Sequence, residues 1–280
     1  MPELPEVETV RARLEPKLVG RRLDNVEIFD PRLTRPVDPA EVAAELVGER
    51  VAAVERRGKY LVVRFESGRV LLIHLRMTGQ LLHANGASRA GTDPHRRAVV
   101  SLDDGSDVIY RDERRFGTWL LVEPGELEPY LGMRVGREPL ARTFSANRLA
   151  ETLASRRAPI KAVLLDQRRL AGVGNIYADE ALWRARVHPL QPARDLRPDE
   201  VAALHRGVRA ALRAGIARQG ATLSDYRTPE GASGRMQEEF KVYGRVGEPC
   251  ERCGTPIEKI RAAGRGTWYC PGCQQLRAAS

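Results

Sequence analysis

The start of the chain carries an unusual combination of reactive groups, because Met1 is followed by Pro2 and Glu3. Removal of Met1 would leave Pro2 with a free secondary amine, which can attack an electrophilic carbon and form an iminium intermediate. Glu3 supplies an adjacent carboxyl group that could donate a proton. The same segment also fits an ordinary helix entry, with Pro5 at the first helical position and Glu6 in the first turn. The sequence of this segment by itself leaves both interpretations open.

All four cysteines of the chain lie near its end, in two Cys-x-x-Cys pairs separated by sixteen residues. They are Cys250, Cys253, Cys270 and Cys273. This spacing is typical of a zinc ribbon, in which each pair lies on a tight turn and four thiolates surround one ion. A set of four thiolates leaves no open coordination position, so we predict one structural Zn²⁺. Two disulfides are the alternative, and a reducing compartment disfavours them.

The composition indicates a globular protein with a polyanionic partner. Of the 280 residues 42% are hydrophobic, and 46 Lys and Arg against 37 Asp and Glu give a formal net charge of +9. An anionic membrane surface would also attract this charge, but apolar runs such as 70–73 are far too short to span a bilayer. The acidic first residues do not resemble a signal peptide. We therefore expect a cytoplasmic protein without a membrane partner.

Periodicity predicts the elements that must position these residues. Leu4, Val7, Val10, Leu14 and Leu18 form the apolar stripe of a first helix, which Pro16 should kink or end. Aliphatic and β-branched segments separated by turn residues then predict strands. They cover 23–29, 50–57, 59–66, 69–76, 97–103, 107–111 and 117–123. With only a short helix at 40–47 among them, the first part reads as an antiparallel sandwich or barrel.

The pattern changes to helical after about residue 130. Helical periodicity and many alanines predict helices at 145–155, 159–168, 176–186 and 198–219. A stretch that contains glycine and serine, 228–236, leads to the cysteine pairs. The fold class is therefore α+β, with a β-rich N-terminal domain and a helical domain that carries the ribbon.

A glycine-rich connection joins two of the predicted helices. Gly172-Val173-Gly174 precedes Asn175, which is a natural N-cap. The exposed amides of such a helix start suit a phosphate group, although plain interhelical glycine turns are common. Arg156 and Lys161 nearby favour the phosphate interpretation.

Six motifs occur along the chain in a recognisable order. They are 1–8, Arg57-Gly-Lys-Tyr60, His74-Leu-Arg-Met-Thr-Gly79, Arg114-Arg-Phe-Gly117, Gly172-Val-Gly-Asn-Ile-Tyr-Ala-Asp-Glu180 and the cysteine ribbon. In this order they resemble the motifs of bacterial formamidopyrimidine-DNA glycosylases, and the resemblance covers essentially the whole chain. It implies a catalytic β-sandwich domain at 1–132, a helix–two-turn–helix domain at 133–235 and a zinc ribbon at 236–280.

The resemblance also implies an activity and the residues that perform it. Family members excise oxidised purines such as 8-oxoguanine and formamidopyrimidines, and then nick the DNA at the abasic site. Pro2 would attack the sugar C1′, and Glu3 would protonate the sugar ring oxygen. Glu6 would orient the site, although a first-turn acid favoured by the helix dipole explains it equally well. Lys59 would aid β-elimination, and Arg265 would contact a phosphate and aid δ-elimination.

An enzyme of this kind must flip the damaged nucleotide out of the duplex. Met77, Arg114 and Phe116 match the residues that fill the resulting void, and Arg114 would also read the orphaned cytosine. Four further positions match phosphate contacts, namely His95, Arg156, Lys161 and Asn175. The implied partner is damaged double-stranded DNA, bound by a monomer that needs no small-molecule cofactor.

Three departures from the family pattern bear on lesion recognition. Arg76 replaces a glycine before Met77, Glu113 replaces a proline, and 231–236 lies where an aromatic residue often covers the flipped base. Two alternatives therefore stay open. One is an endonuclease VIII-like glycosylase for oxidised pyrimidines, and the other is a non-catalytic DNA-binding protein.

Overall fold

The structure is a computed structural model that describes residues 1–85 and 93–277. The chain folds into two compact units. The first unit comprises the described part of Met1–Gly132 and the segment 218–235, and the second comprises Met133–Ala217 and the described residues from Met236 onward. The division into three parts that the resemblance implies is finer than this and stays a prediction.

The first unit is rich in strands. Its described helices are α1 (Leu4–Leu18), α2 (Pro39–Leu46) and α3 (Leu127–Gly132). Its described strands are β1 (Leu23–Ile28), β2 (Val51–Arg57), β3 (Tyr60–Phe65), β4 (Val70–His74), β5 (Gln80–Asn85), β6 (Arg96–Leu102), β7 (Ser106–Arg111) and β8 (Thr118–Val122). Most strands fall within two residues of their predicted bounds.

The strands form two antiparallel four-stranded sheets. The strand orders are β2-β3-β4-β8 and β1-β6-β7-β5. Both sheets and α1 contribute to one buried apolar cluster, whose members include Leu14, Leu71, Val100 and Trp119. Apolar side chains from two sheets that share one core define a sandwich, which confirms the predicted fold class of this part of the chain.

Helix α1 buries the stripe that its periodicity predicts. Leu4, Val7, Val10, Leu14 and Leu18 are each at most 6% exposed. The helix continues past Pro16 to its last residue, so this proline does not end it. Proline removes one helical hydrogen bond, and so close to the helix end the packed stripe outweighs that loss.

Strand β5 is an element that the sequence pattern does not predict. Its residues Gln80–Asn85 show no strict alternation of apolar and polar side chains, which is the usual signal of a half-buried strand. It nevertheless pairs with β7 from Gln80↔Arg111 to Asn85↔Ser106. Pairing with a partner distant in sequence therefore determines this strand.

The second unit is mainly helical. Its described helices are α4 (Ala146–Leu153), α5 (Ile160–Leu165), α6 (Asn175–Ala185) and α7 (Pro198–Ala217), and its hairpin consists of β9 (Glu258–Ala262) and β10 (Arg265–Tyr269). Helices α6 and α7 approach closely at Gly207, where an added Cβ would lie 2.7 Å from the carbonyl oxygen of Ala181. Within residues 1–85 and 93–277, no helix is both long and apolar enough to cross a membrane.

Candidate active site and nucleic-acid interface

The N-terminal end of α1 holds the candidate nucleophile and acid in buried positions. Pro2 is buried and Glu3 is 2% exposed. Glu3 is the N-cap of the helix, so Pro5 occupies the second helical position rather than the first. The carboxylate of Glu6 accepts a hydrogen bond from the backbone N–H of Glu3 at 2.8 Å, as in a capping box. The helix entry and the candidate catalytic residues are therefore one structure.

Glu6 also fixes the segment 218–235, which belongs to the same unit. Its Oε1 accepts a hydrogen bond from the backbone N–H of Ala221 at 2.7 Å. Gly220 adopts a φ of +81°, and an added Cβ would lie only 2.9 Å from Glu6 Oε1, so glycine permits this approach. Leu223 in the segment 218–235 has an exposed apolar side chain, at 57% exposure.

Lys59 lies in the two-residue turn between β2 and β3 and is only 5% exposed. Arg56 connects this turn to α1. Its Nε lies 2.9 Å from the carboxylate of Glu8, and its Nη1 donates to the carbonyl of Gly58 at 3.0 Å. The lysine is therefore held within the protein and is not an exposed residue at the end of a strand.

The turn after β4 carries Met77, which is half-buried. Arg76 before it has a φ of +53°, a left-handed conformation in which glycine is favoured and arginine is strained. This explains the glycine that the family usually has there. The Nδ1 of His74 accepts a hydrogen bond from the backbone N–H of Arg76 at 3.0 Å and stabilises the turn.

His74 is neutral because of its surroundings. Burial, with smaller contributions from the charges of Arg76 and Lys59, lowers its pKa to about 3. The ring of Tyr60 contacts it edge-on at a centroid distance of 4.7 Å. An imidazole held neutral in this way keeps its acceptor for the turn across the physiological pH range.

A buried carboxylate connects the Met77 turn with the loop that carries Arg114 and Phe116. Asp112 is 1% exposed and accepts hydrogen bonds from the hydroxyl of Thr78 and, at 2.7 Å, from the backbone N–H of Gly117. The oxygen of the same hydroxyl accepts the backbone N–H of Arg114 at 3.1 Å. Thr78 and Asp112 thus hold the three candidate void-filling residues in one group of loops.

Within this loop the arginines have different environments. Arg115 has a φ of +59° and contacts both carboxylate oxygens of Asp30, at 2.6 and 2.7 Å. These hydrogen bonds hold the pKa of Asp30 below its usual value. Arg114 instead lies over the ring of Phe116, with its guanidinium carbon 4.8 Å from the ring centroid. Both of these side chains are exposed, as a surface that fills a void in DNA requires.

The other residues predicted to contact phosphate or to assist elimination lie in several places. In the first unit, His95 is half-buried just before β6, and its carbonyl accepts the backbone N–H of Asp112 at 2.9 Å. In the second unit, Arg156 is half-buried after α4, and Arg265 is exposed at the first position of β10.

The glycine-rich connection precedes α6 as predicted, but Asn175 is not its N-cap. Gly174 occupies that position and Asn175 is the first helical residue. The side chain of Gln167 stabilises the connection, since it accepts the N–H of Gly172 at 2.9 Å and donates to the carbonyl of Val173 at 2.7 Å. The preceding helix α5 ends at Leu165, three residues earlier than predicted.

Lys161 and Asn175 direct their donors at protein groups. Lys161 is fully buried, and its ammonium lies 2.7 Å from the carboxylate of Asp179. The Nδ2 of Asn175 donates to the carbonyl of Gly266, at 3.0 Å. Burial raises the pKa of Asp179, and the Lys161 charge opposes that rise. The Lys161 ammonium is therefore not directed at solvent, where a phosphate would bind.

A second buried carboxylate of α6 stabilises the chain that leads to the ribbon. Glu180 is 0% exposed, and one of its oxygens accepts the backbone N–H groups of Lys241, Val242 and Tyr243 at 2.9, 3.0 and 3.2 Å. Burial raises the pKa of this carboxyl group. Three amides that converge on one oxygen fix this irregular segment.

The four cysteines form a cluster with the dimensions of a zinc site. All four sulfurs lie within 4.8 Å of one another, and Cys253 Sγ is 3.4 Å from the sulfurs of both Cys270 and Cys273. A tetrahedron with Zn–S bonds of about 2.3 Å requires S···S separations near 3.8 Å. The donor set and its spacing therefore fit Zn²⁺.

Neighbouring residues support this cluster. The indole N–H of Trp183 donates to Cys250 Sγ at 3.3 Å, and the hydroxyl of Thr255 lies 3.4 Å from Cys253 Sγ. A Cβ added at Gly272 would lie 2.5 Å from the hydroxyl oxygen of Thr255 and 3.2 Å from the sulfur of Cys253, so the second turn favours glycine. Hydrogen bonds to thiolate sulfurs stabilise their charged form.

Sequence motifs missed the residues that hold the candidate site in place. These are Arg56, Thr78, Asp112, Asp179 and Glu180. Each lies beside or within a motif, and the last three are carboxylates. Asp112 is followed closely by arginines, yet it binds the Thr78 hydroxyl and the amide of Gly117, and Asp179 and Glu180 bind amides far along the chain. Composition and spacing give no signal of these contacts.

Three protein-family models match the chain in succession. The formamidopyrimidine-DNA glycosylase N-terminal domain matches residues 1–119, and the formamidopyrimidine-DNA glycosylase H2TH domain matches 135–227. A zinc finger found in FPG and IleRS matches 247–276.

Individual proteins match over nearly the full length. A formamidopyrimidine-DNA glycosylase of Chloroflexus aggregans is 48% identical over 277 residues, which cover 99% of each chain. The chain belongs to the formamidopyrimidine-DNA glycosylase family. The solved structure of Lactococcus lactis Fpg with abasic-site DNA is 38% identical, has a TM-score of 0.90 and covers 98% of this chain and 99% of that one. A complex of Lactococcus lactis Fpg with Fapy-dG DNA has the same TM-score and identity and covers 98% and 100%.

Membership in the formamidopyrimidine-DNA glycosylase family and the matching zinc-finger model confirm two predictions. The fold combines an N-terminal antiparallel β-sandwich with a C-terminal H2TH region and a zinc ribbon. The four cysteines hold one structural zinc ion.

Removal of zinc is expected to unfold the ribbon. Structural zinc contributes about 10–16 kcal/mol of apparent binding free energy in zinc-finger peptides, which a hairpin this small cannot replace. A strong chelator should therefore expose the amides of β9 and β10 to hydrogen exchange and abolish DNA binding, and Cys253→Ser should do the same without chelator. Exchange protection that persists in demonstrably zinc-free protein would contradict this expectation.

His74 should make the protein less stable in mild acid. In the unfolded chain its pKa is near 6.5, whereas in the folded protein it is about 3. The contribution of neutral His74 to the free energy of unfolding is therefore fully present above pH 6.5. It is lost as the pH falls from there toward 3. The loss at pH 5 relative to pH 7 should be about 2 kcal/mol.

The control for this prediction is His74→Asn, which keeps an acceptor near the Nδ1 position but does not titrate. Urea unfolding at pH 5 and pH 7 should show a pH effect about 2 kcal/mol smaller in the variant. An equal pH effect in both proteins would mean that His74 is not the group responsible.

Thr78→Val should disturb the void-filling loops. The change leaves the backbone N–H of Arg114 and one oxygen of Asp112 without their partner, at a cost of about 1–3 kcal/mol. Urea unfolding measures the cost, and Thr118→Val on β8 is the matched control within the same unit. Similar unfolding free energies for the two variants would show that the Thr78 hydroxyl is dispensable.

Proposed function

We propose that the protein is a bifunctional DNA glycosylase and abasic-site lyase of base excision repair. It excises oxidised purines, including 8-oxoguanine and formamidopyrimidines, through a Schiff base on Pro2 and then cleaves the strand by β- and δ-elimination. The observation that carries the proposal is the buried start of α1, where Glu6 fixes the backbone between Pro2 and Glu3. Met1 is 42% exposed, which supports its removal before catalysis.

A terminal α-amino group is a more available amine nucleophile at neutral pH than an ordinary lysine side chain. An α-amino group with a pKa near 7.7–8.0 is roughly a tenth unprotonated at pH 7, whereas an ordinary lysine is less than about a thousandth unprotonated. The Pro2 nitrogen forms a bond to C1′ while the glycosidic bond breaks, and the electron pair of that bond leaves with the base, which takes up a proton. Glu3 protonates the sugar ring oxygen as the ring opens, which yields the iminium.

The iminium then permits elimination because it acidifies the adjacent C2′ position. Loss of a C2′ proton expels the 3′ phosphate, and loss of a C4′ proton expels the 5′ phosphate. In this scheme Lys59 assists the first elimination, and its burial in the turn tied to α1 by Arg56 supports that role. Arg265, exposed at the start of β10, contacts the phosphate and assists the second. Glu6 orients the helix start.

Damaged double-stranded DNA is the partner in this proposal, and the net charge of +9 supports it. Met77, Arg114 and Phe116 fill the space of the flipped nucleotide, supported by the loops that Thr78 and Asp112 connect. His95 and Arg156 contact phosphates. For Lys161 and Asn175 the direct phosphate contact is less well supported, since their donors bind protein groups.

The protein acts as a monomer in the cytoplasm in this proposal. A cluster of four cysteine thiolates that hold zinc fits a reducing compartment, and this supports the location.

Borohydride trapping on DNA with a single abasic site tests the mechanism. Borohydride should reduce the iminium and join correctly trimmed protein to the DNA, as gel electrophoresis would show. Protein that retains Met1 should bind the same DNA without forming the adduct. Glu3→Gln should lower base excision by about 10²–10⁴-fold, since it removes a general acid, while Glu15→Gln at the exposed end of the same helix is the control.

Adduct formation and a comparison of excised bases separate the alternatives. Absence of an adduct from trimmed protein with intact DNA binding would exclude the lyase and favour a non-catalytic DNA-binding protein. Faster excision of oxidised thymine than of 8-oxoguanine would favour the endonuclease VIII-like alternative.

A further inference from the structure

The second unit contains an ion pair that is removed completely from water. The Nζ of Lys161 lies 2.7 Å from Asp179 Oδ1, and both side chains are 0% exposed. Taking two charges out of water is costly, and the cost is recovered only when further hydrogen bonds satisfy the remaining donors and acceptors. The identity of those further partners therefore indicates what the pair is for.

Three consecutive residues of β10 supply further partners for this pair. The ammonium of Lys161 donates to the Thr267 hydroxyl at 2.7 Å and to the Gly266 carbonyl at 3.2 Å. The carboxylate of Asp179 accepts the backbone N–H of Trp268 at 3.1 Å. Helices α5 and α6 thus hold the ribbon hairpin through one buried pair of charges.

This arrangement extends to Arg265. The hydroxyl of Thr267 donates to the carbonyl of Arg265 at 3.1 Å while it accepts from Lys161. Asn175 adds a donor to the Gly266 carbonyl at 3.0 Å. An isolated two-stranded hairpin is at best marginally stable. Arg265, the first residue of β10, therefore needs such support from outside the hairpin.

The Lys161 ammonium has no route to a phosphate in this geometry. It is fully buried, its charge is matched by Asp179, and its donors already have acceptors. A phosphate contact would require the pair to separate and the hairpin to move.

We propose that Lys161 and Asp179 are positioning residues, which fix the β9–β10 hairpin so that the Arg265 side chain is presented to the DNA phosphate. The inference rests on the proposed function only for the role of Arg265. It replaces a direct contact of Lys161 with DNA by an indirect one.

Asp179→Asn distinguishes the two roles by the sign of its effect. If Lys161 contacts DNA directly, removal of the neighbouring negative charge should tighten DNA binding. If the pair positions the hairpin, the same change should weaken binding and lower the ratio of δ- to β-elimination product on abasic DNA. Tighter binding would overturn the proposal.

Thr267→Val is the gentler variant, because it leaves the ion pair intact and should fold. Misplacement of a catalytic group by about 1 Å can cost about 100-fold in rate, so we expect the second elimination to slow by about 10- to 100-fold while the first changes little. Thr152→Val on α4 is the matched control within the same unit. Equal product ratios for the Thr267 variant and the control would overturn the proposal.

A double-mutant cycle with Arg265→Met then identifies the path of the effect. If Thr267 acts through Arg265, the double variant should be no slower than Arg265→Met alone, whereas additive losses would show independent roles. Hydrogen exchange provides a readout that does not depend on activity. Thr267→Val should speed exchange of the amides of residues 265–268, and unchanged exchange would contradict the proposal.

Failure of the proposed function would look different. Wild-type protein would then form no borohydride adduct and give no elimination products, while the exchange measurement would still decide whether Lys161 and Asp179 fix the hairpin.

Discussion

Hydrogen bonds from backbone amides to buried carboxylates stabilise the irregular segments of this protein. Four carboxylates with this role are at most 2% exposed, and they are Glu6, Asp112, Asp179 and Glu180. Their partners are the amides of Glu3 and Ala221, of Gly117, of Trp268, and of residues 241–243. Segments outside helices and strands, and the edges of a two-stranded hairpin such as β9–β10, lack regular acceptors for some of their N–H groups, and a buried carboxylate supplies them at charge-assisted strength.

This constraint explains why the candidate functional residues lie where they do. A residue that must reach DNA needs an exposed side chain, but its backbone must hold a fixed position. In the first unit Arg114 and Phe116 satisfy both requirements, since Asp112 binds the loop from within while their side chains stay exposed. In the second unit Arg265 has the same combination, because the network around Asp179 and Lys161 holds its carbonyl and the three residues that follow it.

The sequence predicts the regular elements and the zinc site well, because their signals are local. Strand alternation, the α1 stripe and the Cys-x-x-Cys spacing each depend on residues close together in the chain. Strand β5 escapes prediction because its pairing with β7 decides it. Asn175 and Lys161 show the same limit for the site. The residue type of Asn175 suits a helix cap, but Gly174 occupies the cap position. The residue type of Lys161 suits a phosphate contact, but its ammonium donates to residues 266–267, and Asn175 donates to the carbonyl of Gly266. These positions follow from the tertiary fold.

The distribution of the three tryptophans gives the protein built-in optical probes. Trp119 is buried in the sandwich of the first unit, whereas Trp183 and Trp268 belong to the second. The indole of Trp183 donates a hydrogen bond to a sulfur that coordinates zinc. Its emission therefore depends on whether that sulfur is a metal-bound thiolate or a free thiol. The intrinsic fluorescence of the second unit thus reports metal occupancy without any added label, while Trp119 reports separately on the packing of the sandwich.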